Sequence, residues 1–128
     1  MSQIVVRHVG DVVVVDIHGC LTFRAAESEF RPLMSELIEA GKHRIVVNCR
    51  GMSELDQVGM WILGMCCTQA RERGGNLVGC QFPEKFPTEI EGKIREYMES
   101  KYQLHFYDTE EEAIASFKTA AGSSGGAP

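Results

Sequence analysis

The sequence lacks any apolar run long enough to cross a lipid bilayer. Apolar stretches such as residues 12–15 fall far short of the roughly 20 residues that a membrane-spanning helix needs. The first residues also lack the basic, apolar and small-residue pattern of a secretory signal peptide. We therefore expect a cytoplasmic protein that makes no direct insertion into a membrane.

Positive charge is also scarce. The 128 residues include 13 Lys and Arg against 18 Asp and Glu, which gives a formal net charge of −5. No stretch concentrates Lys and Arg into the basic stripe that nucleic-acid binding requires. We therefore expect no nucleic-acid partner.

The common catalytic and metal-binding motifs are missing. The sequence contains no phosphate-binding glycine loop, no CxxC and no HExxH. The four histidines lie in or beside predicted strands at spacings that form no metal cluster: His8, His18, His43 and His105. We therefore predict a protein that is not an enzyme, with no catalytic residue, no metal and no cofactor.

The five cysteines are an odd number and lie inside apolar segments: Cys20, Cys49, Cys66, Cys67 and Cys80. Together with the missing secretion signal, this indicates reduced thiols. Cys66 and Cys67 are adjacent in a predicted helix, so we expect one of them to face the core and the other to point away. A soft-metal or redox role for this pair remains an alternative.

The hydrophobic pattern predicts one α/β domain with a mainly parallel sheet. An opening hairpin turns at Gly10-Asp11, and Gly19 is expected to stop its second strand. Strands and helices then alternate, which implies crossover connections. The predicted strands are 4–9, 12–18, 44–49, 76–80 and 104–107, and the predicted helices are about 26–40, 58–73, 88–100 and one that Asp108 or Thr109 caps. We expect the domain to cover residues 1–118 and a flexible tail to cover 119–128.

Two details of the predicted helices depend on single residues. Pro32 either kinks the first helix or marks where its regular part begins. Thr88 is a plausible N-cap of the third helix, with Glu91 in capping-box spacing, and Ile90, Ile94, Tyr97 and Met98 are expected to face inward.

The turn before the second helix is the best candidate site. Asp56 can cap this helix through its carboxylate. The predicted inward stripe is Gly59, Ile62, Leu63, Cys66 and Ala70, and the residues expected off that stripe are Met60, Trp61, Gly64, Met65 and Thr68. A solvent-facing patch of Trp and Met, rimmed by Arg71 and Glu72, is typical of a protein-binding surface. A helix buried in a larger core is the alternative.

Four segments in order resemble the STAS domain, the fold of bacterial anti-sigma factor antagonists. The matching segments are residues 12–22, 44–49, 55–60 and 73–78, and the resemblance covers residues 1 to about 118. It implies a central four- to five-stranded mixed sheet with about four helices packed on it. It also implies a role in transcription regulation by partner switching, in which an anti-sigma factor that is also a serine kinase binds the antagonist and then phosphorylates it.

Only part of the family's phosphorylation site is present in this sequence. Asp56, Gly59 and Met60 match the family turn, but Gln57 stands at the phosphoacceptor position and Val58 follows it. Neither side chain has a hydroxyl group. Thr22 stands where the family has a second Asp.

The implied partner surface contains Thr22, Asp56, Gln57, Val58, Gly59, Met60, Trp61, Gly64, Met65 and Thr68. The implied partner is an anti-sigma factor with serine kinase activity or another STAS-associated regulator, and a homodimer stays open. The alternatives are an accessory domain of a membrane transport system and a component of a stressosome-like scaffold.

Overall fold

The chain opens with the predicted hairpin. The computed structural model describes residues 2–83 and 94–117. Strand β1 (Ser2–Val9) pairs antiparallel with β2 (Val12–Leu21), from Val9 opposite Val12 to Ser2 opposite Gly19. Gly10 has φ +62°, a conformation that suits glycine at the first position of a two-residue hairpin turn.

Strand β2 is longer than predicted because it has two successive parallel neighbours. Its first half pairs with β3 (Arg44–Asn48), and its end pairs with β4 (Met52–Leu55) from Gly19 to Leu21. The expectation that Gly19 ends the strand is therefore wrong, and β4 was not predicted. A register shift between Gly19 and Cys20 lets the strand continue along its new neighbour.

The sheet is mixed, as predicted. Its order is β1-β2-β3-β5-β6, with β4 beside β2, and among the strands that the structure describes only the β1–β2 pair is antiparallel. Strand β5 (Asn76–Cys80) lies beside β3, and the short β6 (Phe106–Tyr107) lies beside β5. The carboxyl ends of the parallel strands therefore lie at the same end of the sheet.

The first helical region resolves the question that Pro32 raised. Helix α1 (Phe23–Ala25) passes through a π-helical turn (Ala26–Phe30) into α2 (Arg31–Glu39), so the helix begins well before Pro32. The π-helical turn interrupts the regular hydrogen-bond ladder directly before the proline, which cannot donate to it. Gly41 follows the helix with φ +87°, as expected of a C-terminal stop.

Three further helices complete the described fold. Helix α3 (Gln57–Glu72) begins and ends within one residue of its prediction, and α4 (Ile94–Tyr102) follows the undescribed residues 84–93. Helix α5 runs over the described residues 110–117. Thr109 caps α5: its hydroxyl accepts from the Glu112 N–H at 3.1 Å and donates to the Glu112 carboxylate. The predictions at Thr88, Ile90 and Glu91, and the tail 119–128, lie outside the described residues.

The sheet has a core on each face. The larger core joins alternate residues of β2, β3 and β5 to helices α2, α3 and α4, and the smaller one lies under α5 with Ala113 and Phe117. Helix α3 contacts both α2 and α4 as well as β5. These neighbours therefore cover α3 on more than one side, whereas an amphipathic surface helix is covered on one side only.

Candidate protein-binding site

The Asp56 carboxylate joins the N-terminal ends of two helices. One of its oxygens accepts a hydrogen bond from the Gly59 N–H at 2.8 Å and so caps α3. The other accepts from the Phe23 N–H at 2.8 Å, at the start of α1. The side chain that the sequence predicts as a cap therefore also fixes the loop after β2 against the start of α3.

Gly59 is required by the packing of this turn. A Cβ atom at Gly59 would lie 2.1 Å from the Leu21 carbonyl oxygen and 2.9 Å from a Leu55 methyl group. The first turn of α3 therefore passes too close to the end of β2 for any side chain. The packing of this turn therefore accounts for both Asp56 and Gly59.

Gln57 is exposed at the first position of α3, directly after the capping carboxylate. The helix N-terminus favours negative charge, so a hydroxyl here would present a phosphate group to backbone N–H donors. The Gln57 amide has no hydroxyl to phosphorylate. Val58, next to it, is partly buried against the larger core.

The outer face of α3 is narrower than the sequence suggests. Met60 is 4% exposed and Gly64 is buried, so the expectation that both lie on the open face is wrong. Met65 is half-buried against the larger core. The exposed stripe consists of Gln57, Trp61, which is 48% exposed, and Thr68, at helical spacing.

Helix α4 is the reason that Gly64 is covered. The Tyr102 ring lies so close to Gly64 that a Cβ atom there would be 2.3 Å from the ring. Arg71 of α3 stabilises the packing of α4 on α3, because its guanidinium donates to the backbone carbonyls of Tyr102 and Gln103 at 2.6 and 2.7 Å. Arg71 is therefore a structural clamp rather than the rim residue that the sequence indicated.

Two further aromatic side chains are exposed on α1 and α4, the helices that contact α3 along with α2. Phe23 is 60% exposed and follows the half-buried Thr22 at the start of α1. Tyr97 is 43% exposed, so its predicted inward position is wrong, whereas the inward positions predicted for Ile94 and Met98 are confirmed.

The helices that carry the exposed aromatic residues are joined at α3, which contacts both α1 and α4. The Phe23 backbone bonds the carboxylate that caps α3. Tyr97 meets the Tyr102 ring edge-on, with centroids 6.4 Å apart, above Gly64. The Lys101 ammonium lies 5.6 Å from the Tyr97 ring centroid. We call Phe23, Trp61 and Tyr97 the aromatic surface; no periodicity in the sequence marked Phe23 or Tyr97 as exposed.

Cys66 and Cys67 are both buried, so the expectation that one of them points away from the core is wrong. Burial raises the pKa of Cys66 to about 12 and also raises the pKa of Cys67, although the nearby Arg71 guanidinium opposes the second shift. The Cys67 thiol donates to the Leu77 carbonyl at 3.3 Å. A thiol held protonated in a core is a poor nucleophile and metal ligand.

Residues 2–83 and 94–117 contain no group of three or more His, Cys, Asp or Glu side chains placed to hold a metal ion. In the same ranges no helix combines the length and apolar character needed to cross a bilayer.

Comparison with known proteins agrees with this geometry. The model of the STAS domain matches residues 3–113. The chain belongs to the STAS domain family. No curated protein matches its sequence.

Solved structures share the STAS fold at low sequence identity. The Thermotoga maritima protein TM1081 has a TM-score of 0.75 at 17% identity over 90% of this chain and 94% of its own. An anti-sigma factor antagonist from Mycobacterium paratuberculosis has 0.70 at 15% identity over 92% and 95%. Unphosphorylated SpoIIAA of Bacillus, an anti-sigma factor antagonist, has 0.66 at 22% identity over 91% and 98%. The predicted α/β STAS-like architecture is confirmed.

Proposed function

We propose that this STAS domain is a regulatory module that binds a protein partner through the Asp56–Gln57 turn and the aromatic surface. The observation that carries the proposal is the position of Trp61, which is 48% exposed and lies one helical turn after Gln57. Exposing a large aromatic ring to water is unfavourable, and Trp is enriched where protein interfaces concentrate their binding energy. Phe23 and Tyr97 are exposed on two helices that contact α3.

The partner that this resemblance favours is an anti-sigma factor with serine kinase activity, or a related STAS-associated regulator. SpoIIAA, which shares the fold, exists in unphosphorylated and phosphorylated forms. In this chain Gln57 occupies the exposed position after the capping Asp56. A partner with kinase activity could therefore not phosphorylate this position. Binding is then either constitutive or regulated at another residue.

A pull-down from the native cell tests the interface, with the tagged full-length chain and its Trp61→Ala variant as baits. The truncation removes the largest exposed apolar side chain, so we expect at least one protein to be recovered by the wild type and lost by the variant. Glu111→Ala, which changes an exposed residue on α5, is the matched control and should recover that protein. Equal recovery of every protein by Trp61→Ala would rule out this interface.

A phosphorylation assay tests the missing acceptor separately. The wild type and a Gln57→Ser variant are incubated with the recovered kinase and ATP, and phosphate is located by mass spectrometry. Within residues 53–60 we expect phosphate on the variant alone, because only the variant carries a hydroxyl directly after Asp56. Phosphate on any residue from 53 to 60 of the wild type would contradict the proposal.

A further inference from the structure

Strand β1 ends the sheet with an open edge. It is the first strand in the order β1-β2-β3-β5-β6, and its one described neighbour is β2. Because the hairpin has a two-residue turn, Val9 and Val12 form a hydrogen-bonded pair, and the backbone groups of every second residue from Val9 point toward β2. The backbone N–H and C=O groups of Ile4, Val6 and His8 therefore point away from the sheet.

This edge lacks the features that normally keep such strands apart. Natural proteins protect an exposed edge with Lys, Pro, a bulge or a very short strand. β1 is 8 residues long, contains no Lys, Pro or acidic residue, and keeps an unbroken register with β2. Among residues 2–83 and 94–117, no turn or loop makes a backbone hydrogen bond to it.

The one charged side chain of β1 is neutralised within its own chain. The Arg7 guanidinium donates to both Asp16 carboxylate oxygens, at 2.6 and 2.8 Å, and to the Glu110 carboxylate. These contacts raise the Arg7 pKa above its usual value. Arg7 therefore presents little net charge to a second strand, whereas Val5 and Val9 on the same side of β1 are 36% and 40% exposed.

We propose that β1 pairs antiparallel with β1 of a second copy of this chain, which joins two sheets into one. A two-fold axis at Val6 places Ile4 opposite His8, Val5 opposite Arg7 and Gln3 opposite Val9. In this register each outward backbone group from Ile4 to His8 has a partner. It also covers both exposed valines and places no like charges opposite each other.

Competing registers are less favourable. An axis at Arg7 would place the two Arg7 side chains opposite each other and would leave the outward backbone groups of Ile4 opposite Gly10 of the hairpin turn, beyond β1. An axis at Val5 would place Val9 beyond the start of the partner's β1. Pairing of an odd with an even residue would put side chains of opposite faces together, which an antiparallel ladder does not allow.

Sedimentation velocity of the full chain over a wide concentration range tests the pairing. We expect the wild type to reach about twice the 14.2 kDa chain mass. His8→Pro removes an outward N–H while leaving the β1–β2 hydrogen bonds in place, since proline is tolerated on that side of an edge strand. The bond occurs twice in the dimer, so we expect the dissociation constant to rise about 30-fold, equivalent to about 2 kcal/mol.

His8→Ala is the matched control, because it removes the same exposed side chain but keeps the backbone N–H. It should dimerise like the wild type. Circular dichroism of each variant verifies that it is folded. A wild type that stays at 14.2 kDa at every concentration, an open series of larger assemblies, or equal weakening by His8→Pro and His8→Ala would overturn the proposal.

Discussion

Replacement of Asp56 by Ala is predicted to destabilise the domain by about 2 kcal/mol. Loss of an N-cap costs about 1 kcal/mol, and the substitution removes the hydrogen bond from the Gly59 N–H to the Asp56 carboxylate. The second bond, from the Phe23 N–H, joins a donor to a charged acceptor and contributes about 1.5 kcal/mol. Phe23 is exposed, so water replaces part of this second contribution.

Asp56→Asn separates the two contributions. Asparagine is as good an N-cap as aspartate, so its amide oxygen retains the bond from Gly59. The amide nitrogen cannot accept from Phe23, so we expect this variant to lose about half as much stability as Asp56→Ala. Gln57→Ala, an exposed neighbour, is the control and should stay within about 0.5 kcal/mol of the wild type.

Equilibrium unfolding in urea, followed by circular dichroism, measures these differences as shifts of the transition midpoint at constant slope. An Asp56→Ala variant within about 0.5 kcal/mol of the wild type would refute the bridging role of the carboxylate. Equal losses for the Asn and Ala variants would refute the division between the two bonds.

Three further predictions concern other parts of the fold. Gly64→Ala should cost about 1–3 kcal/mol in urea unfolding, because its methyl group would meet the Tyr102 ring, and adding Tyr102→Leu should recover part of the loss; a neutral Gly64→Ala would contradict the packing of α4 on α3. The Arg7 guanidinium lowers the Glu110 pKa, so this pair stabilises the fold above the unfolded pKa of about 4.3 and the contribution is lost as pH falls through the folded pKa. Glu110→Gln should therefore be less stable than the wild type by about 1 kcal/mol at neutral pH, a small value because Arg7 is partly exposed, and the gap should close below about pH 4 in unfolding curves; a gap independent of pH would contradict this. In the folded protein a thiol reagent should modify Cys20 ahead of the four buried cysteines, and rapid modification of more than one thiol before unfolding would revive a redox role.

The sequence predicts elements well where one stretch of chain determines them. Strands β3 and β5 are short apolar runs between polar residues, and α3 has an apolar stripe with a capping Asp56, so their positions follow from local pattern. The strand β4 has two apolar residues in four and exists through its pairing with the end of β2. That pairing is a tertiary contact, and no local pattern reveals it.

The same distinction between local sequence pattern and tertiary contact applies to the candidate site. The capping role of Asp56 and the exposure of Trp61 could be predicted from the residues themselves. The burial of Gly64 could not, because it depends on where α4 docks. The exposure of Tyr97 depends on the same docking, since α4 turns only Ile94 and Met98 fully inward.

The most direct test of the proposed interface is the affinity of the recovered partner for the wild type and for Gln57→Glu. A carboxylate at this exposed position places charge beside Asp56, within the surface that the partner would cover. Burial of an unpaired charge is unfavourable, so we expect binding at least about tenfold weaker by isothermal titration calorimetry, while the neutral Gln57→Ala stays close to the wild type. Equal affinity of Gln57→Glu and the wild type would contradict a partner interface at the Asp56–Gln57 turn.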